Sequence, residues 1–360
     1  MATTTLTGTT SSAIAAALLE ARRKAGSPAM GMVLTLIVVS DEKGLAAALA
    51  AALEAGHEHP SRVIVVVTGP GRKSSLDAEV RVGDGNPGEA VILRMRGPVS
   101  AHSASVVRPL LLPDSPVVVF WPGTSPLKPA EDDLGKMANR RITDSMGTGR
   151  PLFILNTRAA SYAPGDTDLT WTRLTPWRSL LAAAIDQYPK RVLSVVVEAE
   201  RNNASANLLA AWLQCRLGVD VRRLSSEGPG ITAVRMRTAA GDIALTRPDG
   251  LIASYSVPGQ PNRIVALKRR RVAELIAEEL RRMDPDDIFA QALTALQANK
   301  GHPSSGSTTT RMAEPAPALR APAKKAAAKK TSAKKAPAKK TAAKKTPAKK
   351  TAAKKVVQHG

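Results

Sequence analysis

The apolar positions of this chain fall first at helical and then at strand spacing. Ser11 or Ser12 can cap a helix through about Lys24, with Ile14 and Leu18 one turn apart on its buried face. Met32 to Val39 is rich in β-branched residues and apolar on both pleat faces, the pattern of a central parallel strand. Asp41 caps a second helix whose Leu45, Leu49 and Leu53 form an i, i+4 stripe, and Val63 to Val67 is again a fully apolar strand. Strand, helix and strand in this order make a βαβ unit with parallel strands. The chain therefore opens as an α/β protein.

Shorter strands are expected over Leu76 to Val82 and Ala90 to Arg96, set apart by Gly83, Gly85, Pro87 and Gly88. Val117 to Trp121 and Leu152 to Asn156 read as further strands, with a helix from about Asp132 to Ile142 between them. Thr175 and Pro176 start a helix whose buried stripe is Leu180, Leu181, Ala184 and Ile185. A second βαβ-like unit follows, with a strand over Val192 to Val197 and a helix from Asn203 to Leu217 that Gly218 stops. Strands near Val219, Ile231 to Arg237, Ile243 to Thr246 and Leu251 to Ser256 precede closing helices over Lys268 to Met283 and Pro285 to Gln297. Both halves run helix, strand, helix, strand and meander, as a diverged duplication would. The expected fold is α/β, with two βαβ-containing halves and mixed sheets. An N-terminal domain would span 1–160, a C-terminal domain with closing helices 161–300, and a disordered tail 301–360.

Charge sets that tail apart. The chain of 360 residues has 52 basic and 30 acidic residues, a net +22. Beyond residue 300, 14 lysines and 2 arginines against Glu314 account for +15 and leave +7 for the body. The lysines come as pairs every five residues: Lys324 and Lys325, Lys329 and Lys330, Lys334 and Lys335, Lys339 and Lys340, Lys344 and Lys345, Lys349 and Lys350, Lys354 and Lys355. On a helix a five-residue step advances about 500°, so the pairs would circle the axis without forming one basic face. Pro337 and Pro347 and the repulsion of like charges favour an extended coil, similar to the tails of linker histones. Such a segment binds DNA, RNA or another polyanion through counterion release.

No apolar run reaches the roughly 18 to 20 residues that span a bilayer, and Met1 to Ser12 lacks the basic start of a secretory signal. The expected protein is cytoplasmic and not membrane-bound, with the tail as its route to the nucleoid. Cys215 is the single cysteine and is expected to be an inert core thiol.

The chain offers little catalytic chemistry. The first strand-to-helix turn reads Ser40-Asp41-Glu42-Lys43-Gly44, where two carboxylates would repel the pyrophosphate that a dinucleotide site holds. Gly69-Pro70-Gly71-Arg72 reads as a turn, and there is no Walker lysine motif. His57 and His59 have no third ligand nearby, and His102 has no nucleophile elbow to serve. Asp132, Asp133, Asp284, Asp286 and Asp287 are helix-start acids that the helix dipole favours. No catalytic residue, cofactor site or metal site is assigned, which points toward binding or assembly.

The middle of the body is unusual in one respect. Phe120, Trp121, Phe153, Tyr162, Trp171, Trp177 and Tyr188 place seven of ten aromatics within 69 residues, interleaved with Arg140, Arg141, Arg158, Arg173 and Arg178. Large aromatics are ordinarily core. Combined with arginine, they are also what protein interfaces are enriched in.

Several strings in this region carry a family resemblance. His59-Pro60-Ser61-Arg62, Pro113-Asp114-Ser115-Pro116-Val117-Val118 running to Trp121-Pro122-Gly123, and Arg140-Arg141-Ile142-Thr143-Asp144 are three of them. Tyr162-Ala163-Pro164-Gly165-Asp166-Thr167-Asp168 and Thr170-Trp171-Thr172-Arg173-Leu174-Thr175-Pro176-Trp177-Arg178 are the most specific. Together they resemble the OpcA proteins, the glucose-6-phosphate dehydrogenase assembly or activating proteins of actinobacterial and cyanobacterial type. The resemblance covers roughly Ser11 to Gln297 and leaves the tail outside. It implies a non-enzymatic partner of the first dehydrogenase of the oxidative pentose phosphate pathway.

Three functions compete on these grounds. The first is assembly or allosteric activation of glucose-6-phosphate dehydrogenase, with Arg62, Trp121, Arg140, Arg141, Trp171, Arg173, Trp177 and Arg178 as candidate interface residues. Arg140 and Arg141 are expected as unpaired cations at a helix end. The second is a nucleic-acid or nucleoid-associated protein acting through its basic tail. The third, a sugar-phosphate enzyme using Arg140 and Arg141 as an anion clamp, lacks an acid–base pair.

Overall fold

A computed structural model of the chain describes residues 2–26, 31–83 and 88–299, so the tail, with its expected disorder and its lysine pairs, lies outside the described residues. The first part runs β1 (Ala2–Leu6), α1 (Ser11–Ala25), β2 (Leu34–Ser40), α2 (Leu45–Ala55), β3 (Ser61–Gly69), β4 (Ser75–Val82), β5 (Glu89–Arg96), α3 (Ser103–Val107), β6 (Val117–Trp121), α4 (Asp133–Lys136), β7 (Arg140–Thr143), α5 (Pro151–Ala160) and β8 (Asp166–Asp168). The rest runs α6 (Leu169–Thr172), α7 (Thr175–Gln187), β9 (Val192–Ala199), α8 (Ala204–Leu217), β10 (Val221–Ser225), β11 (Ile231–Thr238), β12 (Gly241–Thr246), β13 (Ile252–Ser256), β14 (Arg263–Ala266), α9 (Val272–Leu280) and α10 (Asp287–Ala298).

The α/β expectation holds, with two mixed sheets. The first sheet has eight strands in the order β1-β4-β5-β3-β2-β6-β7-β8. From β5 to β8 every neighbouring pair is parallel, and β1 and β4 add an antiparallel edge. Alternate side chains of a strand point to opposite faces, and here both faces are covered. Leu36, Val38, Val63, Val65 and Phe120 meet α2 and α9 on one side. Ile37, Ile64, Val66, Val119 and Trp121 meet Ile14 and Leu18 of α1 on the other. Each such side chain withdrawn from water contributes about 1.5–3 kcal/mol.

The second sheet, β10-β9-β11-β12-β13-β14, has one parallel pair, β9 with β10, and is otherwise antiparallel. Its inward residues, among them Val195, Val197, Val234, Met236, Leu245 and Tyr255, form one core with α7, α8 and α10. Burial alternates along β9, β12 and β13, as it does when one sheet face is left to solvent. The last two described helices serve both sheets, since Leu275 and Ile276 of α9 enter the first core and Phe289 and Leu293 of α10 the second.

Some expectations need correction. Leu152 to Asn156 is helix α5, not strand. Pro151 sits in its first turn and Leu155, Arg158 and Ala159 are buried at helical spacing. A run of four or five apolar residues does not distinguish the two states. The helix expected to reach Ile142 stops after Lys136. Asn139 then exchanges hydrogen bonds with Val117, accepting from its N–H at 2.8 Å and donating to its carbonyl at 2.8 Å, which pins the next residues to β6 as strand β7. The opening strands of the two expected βαβ-like units occupy unlike places. β2 lies between two parallel neighbours, β9 between one parallel and one antiparallel. No helix among the described residues is long and apolar enough to cross a membrane.

Candidate functional site

Most of the residues singled out from sequence are interior. Arg62, on β3, is 4 % exposed, and it donates from Nε to Glu89 Oε2 at 3.0 Å and from Nη1 to the Leu110 carbonyl at 2.6 Å. Glu89 also accepts from Arg22 of α1, so a single carboxylate ties the helix to β3 and β5. Trp121, Trp171 and Trp177 are only 2, 2 and 3 % exposed. The tryptophans of the expected aromatic and arginine surface are therefore turned inward, while Phe153 stays 51 % exposed.

Arg140 and Arg141 require the plainest correction. They are not unpaired cations at a helix end but residues of β7, 4 and 8 % exposed. Arg140 donates from Nε and Nη2 to Glu279 Oε2 of α9 at 3.2 and 2.5 Å, and from Nη1 to the Asp284 carbonyl at 2.8 Å. Arg141 donates to Asp166 Oδ1 at 2.5 Å, to the Pro164 carbonyl at 2.5 Å and to the Ala138 carbonyl at 3.1 Å. A guanidinium has five donors in a fixed fork, so a strand position facing buried acceptors suits it. Neither arginine is free to clamp an anion.

The segment from Tyr162 to Arg178 fastens the closing helices. Trp171 Nε1 donates to Asp286 Oδ2, which begins α10, at 2.8 Å. The Arg178 guanidinium lies 3.6 Å from the centre of the Trp171 ring. Thr172 donates to Glu279 at 2.5 Å and Thr175 to Glu278 at 2.7 Å, both on α9. Arg173 grips Asp144 through both carboxylate oxygens, at 2.6 and 2.8 Å. Burial is the main influence on Asp144 and raises its carboxyl above the ordinary range, against the pull of Arg173. Asp168 accepts from Thr143, Ser145 and Thr170, which leaves it a structural anchor.

The outer side of this segment borders a pocket of about 200 Å³. Met146, Arg173, Leu174, Pro176 and Trp177 form one wall, and Asn203 and Ser205, at the start of α8, form another. Gly230, Arg247 and the run Leu267 to Arg270 complete it, with Glu200 as the one acid in the lining. Of the sequence-selected residues it gathers only Arg173 and Trp177. Arg247, Lys268, Arg269 and Arg270 were not anticipated as site residues. The basic run Lys268 to Arg271 was the available signal, but it read as the start of a closing helix.

A wider crevice of about 590 Å³ lies at the carboxyl ends of β2 and β6, bordered by Asp41, Gly44 and the loops at Pro122 to Thr124 and Gly147 to Gly149. Strand order reverses between β2 and β6, where open α/β sheets hold ligands. The crevice wall includes Asp41 but no Lys or Arg, so it does not favour a phosphate. No group of three or more His, Cys, Asp or Glu among the described residues could hold a metal ion. Cys215 is exposed on α8, not a core thiol, because that helix buries Leu208, Leu209, Ala211 and Leu213 instead.

Comparison with known proteins places this geometry. Residues 52–160 match the family described as the glucose-6-phosphate dehydrogenase subunit N-terminal domain, and residues 164–293 match its C-terminal domain. A Synechococcus elongatus protein bearing the name OxPP cycle protein OpcA is 32 % identical over 139 residues, which are 36 % of this chain and 31 % of that relative. The match thus spans under a third of the relative's length. A 3-ketoreductase from Actinomadura kijaniata, crystallised with TDP-benzene and NADP, aligns with a TM-score of 0.41 at 11 % identity over 75 % of this chain and 96 % of its own. An oxidoreductase from Sinorhizobium meliloti aligns with a TM-score of 0.40 at 13 % identity over 74 % of this chain and 96 % of its own. Likenesses this slight imply nothing about activity. With both halves matched, the chain belongs to the OpcA family of glucose-6-phosphate dehydrogenase subunit proteins.

Proposed function

We propose that the chain is a non-enzymatic subunit that binds glucose-6-phosphate dehydrogenase and favours its active oligomer or conformation. The observation that carries this reading is the family match over both halves of the body. The geometry supports it, because Arg62, Arg140, Arg141, Asp168 and Glu279 are committed to internal bonds. For a docking surface we favour the open face of the second sheet. There Ile252 of β13 and Ile264 of β14 are 53 and 79 % exposed and sit diagonally across the β13–β14 pairing, between polar neighbours such as Ser254.

Activation requires that the chain bind the active state more tightly, and a tenfold preference is worth about 1.4 kcal/mol. The test is dehydrogenase activity titrated with the purified chain. Activity should rise and saturate with the wild type, and an Ile252→Asp, Ile264→Asp variant should need at least about tenfold more protein for the same effect. Unchanged activity at micromolar concentrations of the wild type would reject the activating role.

A further inference from the structure

We infer that the pocket beside Trp177 is an anion site that takes the phosphoryl group of a small phosphate monoester. Arg247 is the central residue of the site. Its side chain is buried, 5 % exposed, and lines the pocket. Nη1 and Nη2 donate to the carbonyls of Leu267 and Ile231 at 2.8 and 3.0 Å, while Nε has no partner. No carboxylate pairs with it among the described ion pairs. Asp249 acts on it only from a distance, its own carboxylate accepting from the backbone of Leu251 and Ile252. The charge is thus buried with only neutral acceptors, and a cation so placed is costly unless something neutralises it.

The surroundings add positive charge. A Cβ on Gly230 would lie 3.1 Å from Arg269 Nη2 and 3.5 Å from Arg247 Nη2, so two guanidinium groups converge at this one glycine. Arg269 has a single, long contact with Glu200 at 3.8 Å, and both are about half exposed, so an incoming anion displaces little. Arg173 and Arg270 also face the pocket but are held by Asp144 and Glu278. Helix α8, 14 residues long, begins in the wall at Asn203 and Ser205, and its first turn contributes further partial positive charge.

The half-exposed Arg269 fork matches the geometry of phosphate oxygens, while Arg247, whose Nη1 and Nη2 already donate to carbonyls, contributes its uncompensated charge, and a dianion balances the two together. The lining also includes the apolar side chains of Trp177, Pro176 and Met146, which suit the carbon skeleton of an ester better than a free ion. The space available is that of a small metabolite, not a dinucleotide.

The experiment uses the full chain with inorganic phosphate, glucose 6-phosphate and unphosphorylated glucose as probes. Tryptophan fluorescence is the readout, because the Arg247 guanidinium lies 5.0 Å from the Trp177 ring, one of four tryptophans in the chain, and the basic tail contributes none. Glucose 6-phosphate should give a saturable change that glucose does not. Inorganic phosphate should compete but bind more weakly. Arg247→Met and, as a surface variant that leaves the core untouched, Arg269→Ala should each weaken the ester by about tenfold or more, the loss expected for one hydrogen bond to a charged group. Equal affinity in wild type and both variants, or no saturable change at millimolar ligand, would overturn the site. Inorganic phosphate binding as tightly as the ester would overturn the ester assignment. All arms use the chain alone, so the result is independent of dehydrogenase binding.

Discussion

Removing the Arg140 guanidinium should destabilise the body by about 3–5 kcal/mol, the cost of breaking a buried ion pair by deleting one partner. The side chains of Arg140 and Glu279 are 5 and 6 % exposed, and their bond joins β7 of the first sheet to α9, 139 residues later. In Arg140→Met, Glu279 would keep the Thr172 hydroxyl as donor but lose its cation. Total stabilities run to about 5–15 kcal/mol, so the loss is a large fraction of the whole. Replacing both charges, Arg140→Met with Glu279→Leu, should recover at least about 2 kcal/mol of it, because no buried charge is then left unpaired. Urea unfolding followed by tryptophan fluorescence measures both variants. A single variant within about 1 kcal/mol of wild type, or a double variant no better than the single, would refute this reasoning. The same logic makes Arg140→Glu with Arg141→Glu a folding defect, not a selective loss of partner binding.

Four further outcomes are expected. Because burial raises the Asp144 carboxyl above its ordinary 3.8, folding takes up a proton there; the stability of wild type relative to Asp144→Asn should be greatest below that value and fall as pH rises through the raised one, and a difference that grows with pH would contradict it. Gly135→Ala should cost about 2–3 kcal/mol in the same urea assay, because the new Cβ would lie 1.8 Å from the Pro129 carbonyl oxygen. Cys215 should react with one equivalent of Ellman's reagent in the native protein, and labelling only after unfolding would place the thiol inside. Deleting residues 301–360 should flatten the salt dependence of binding to duplex DNA, for which fourteen engaged lysines give a log–log slope approaching about −13.

What the sequence made legible was local. The strands β2, β3, β6 and β9 are apolar or β-branched over most of their length, and Gly218 ends α8 at φ 64°, as a helix-stopping glycine does. β7 was hidden because its first two residues are arginines, which show no apolar period and whose acid partners lie 25 and 139 residues away. β8 and β14, of three and four residues, are too short for any period to show. The tryptophans and arginines stand out in the sequence, but sequence does not say which way they face, and most of them face inward. The cation pocket was least visible of all. Its charges come from Arg173, Arg247 and Lys268 to Arg270, and only the return of the chain after β14 brings them together.

The most direct test of the central claim is the mass of the complex, measured by light scattering during size-exclusion of the full chain mixed with glucose-6-phosphate dehydrogenase from the same organism. The account predicts one species heavier than either protein alone and containing both, which the Ile252→Asp, Ile264→Asp variant fails to form while keeping its own fold. Two separate peaks with the masses of the free proteins, at micromolar concentrations of each, would contradict it.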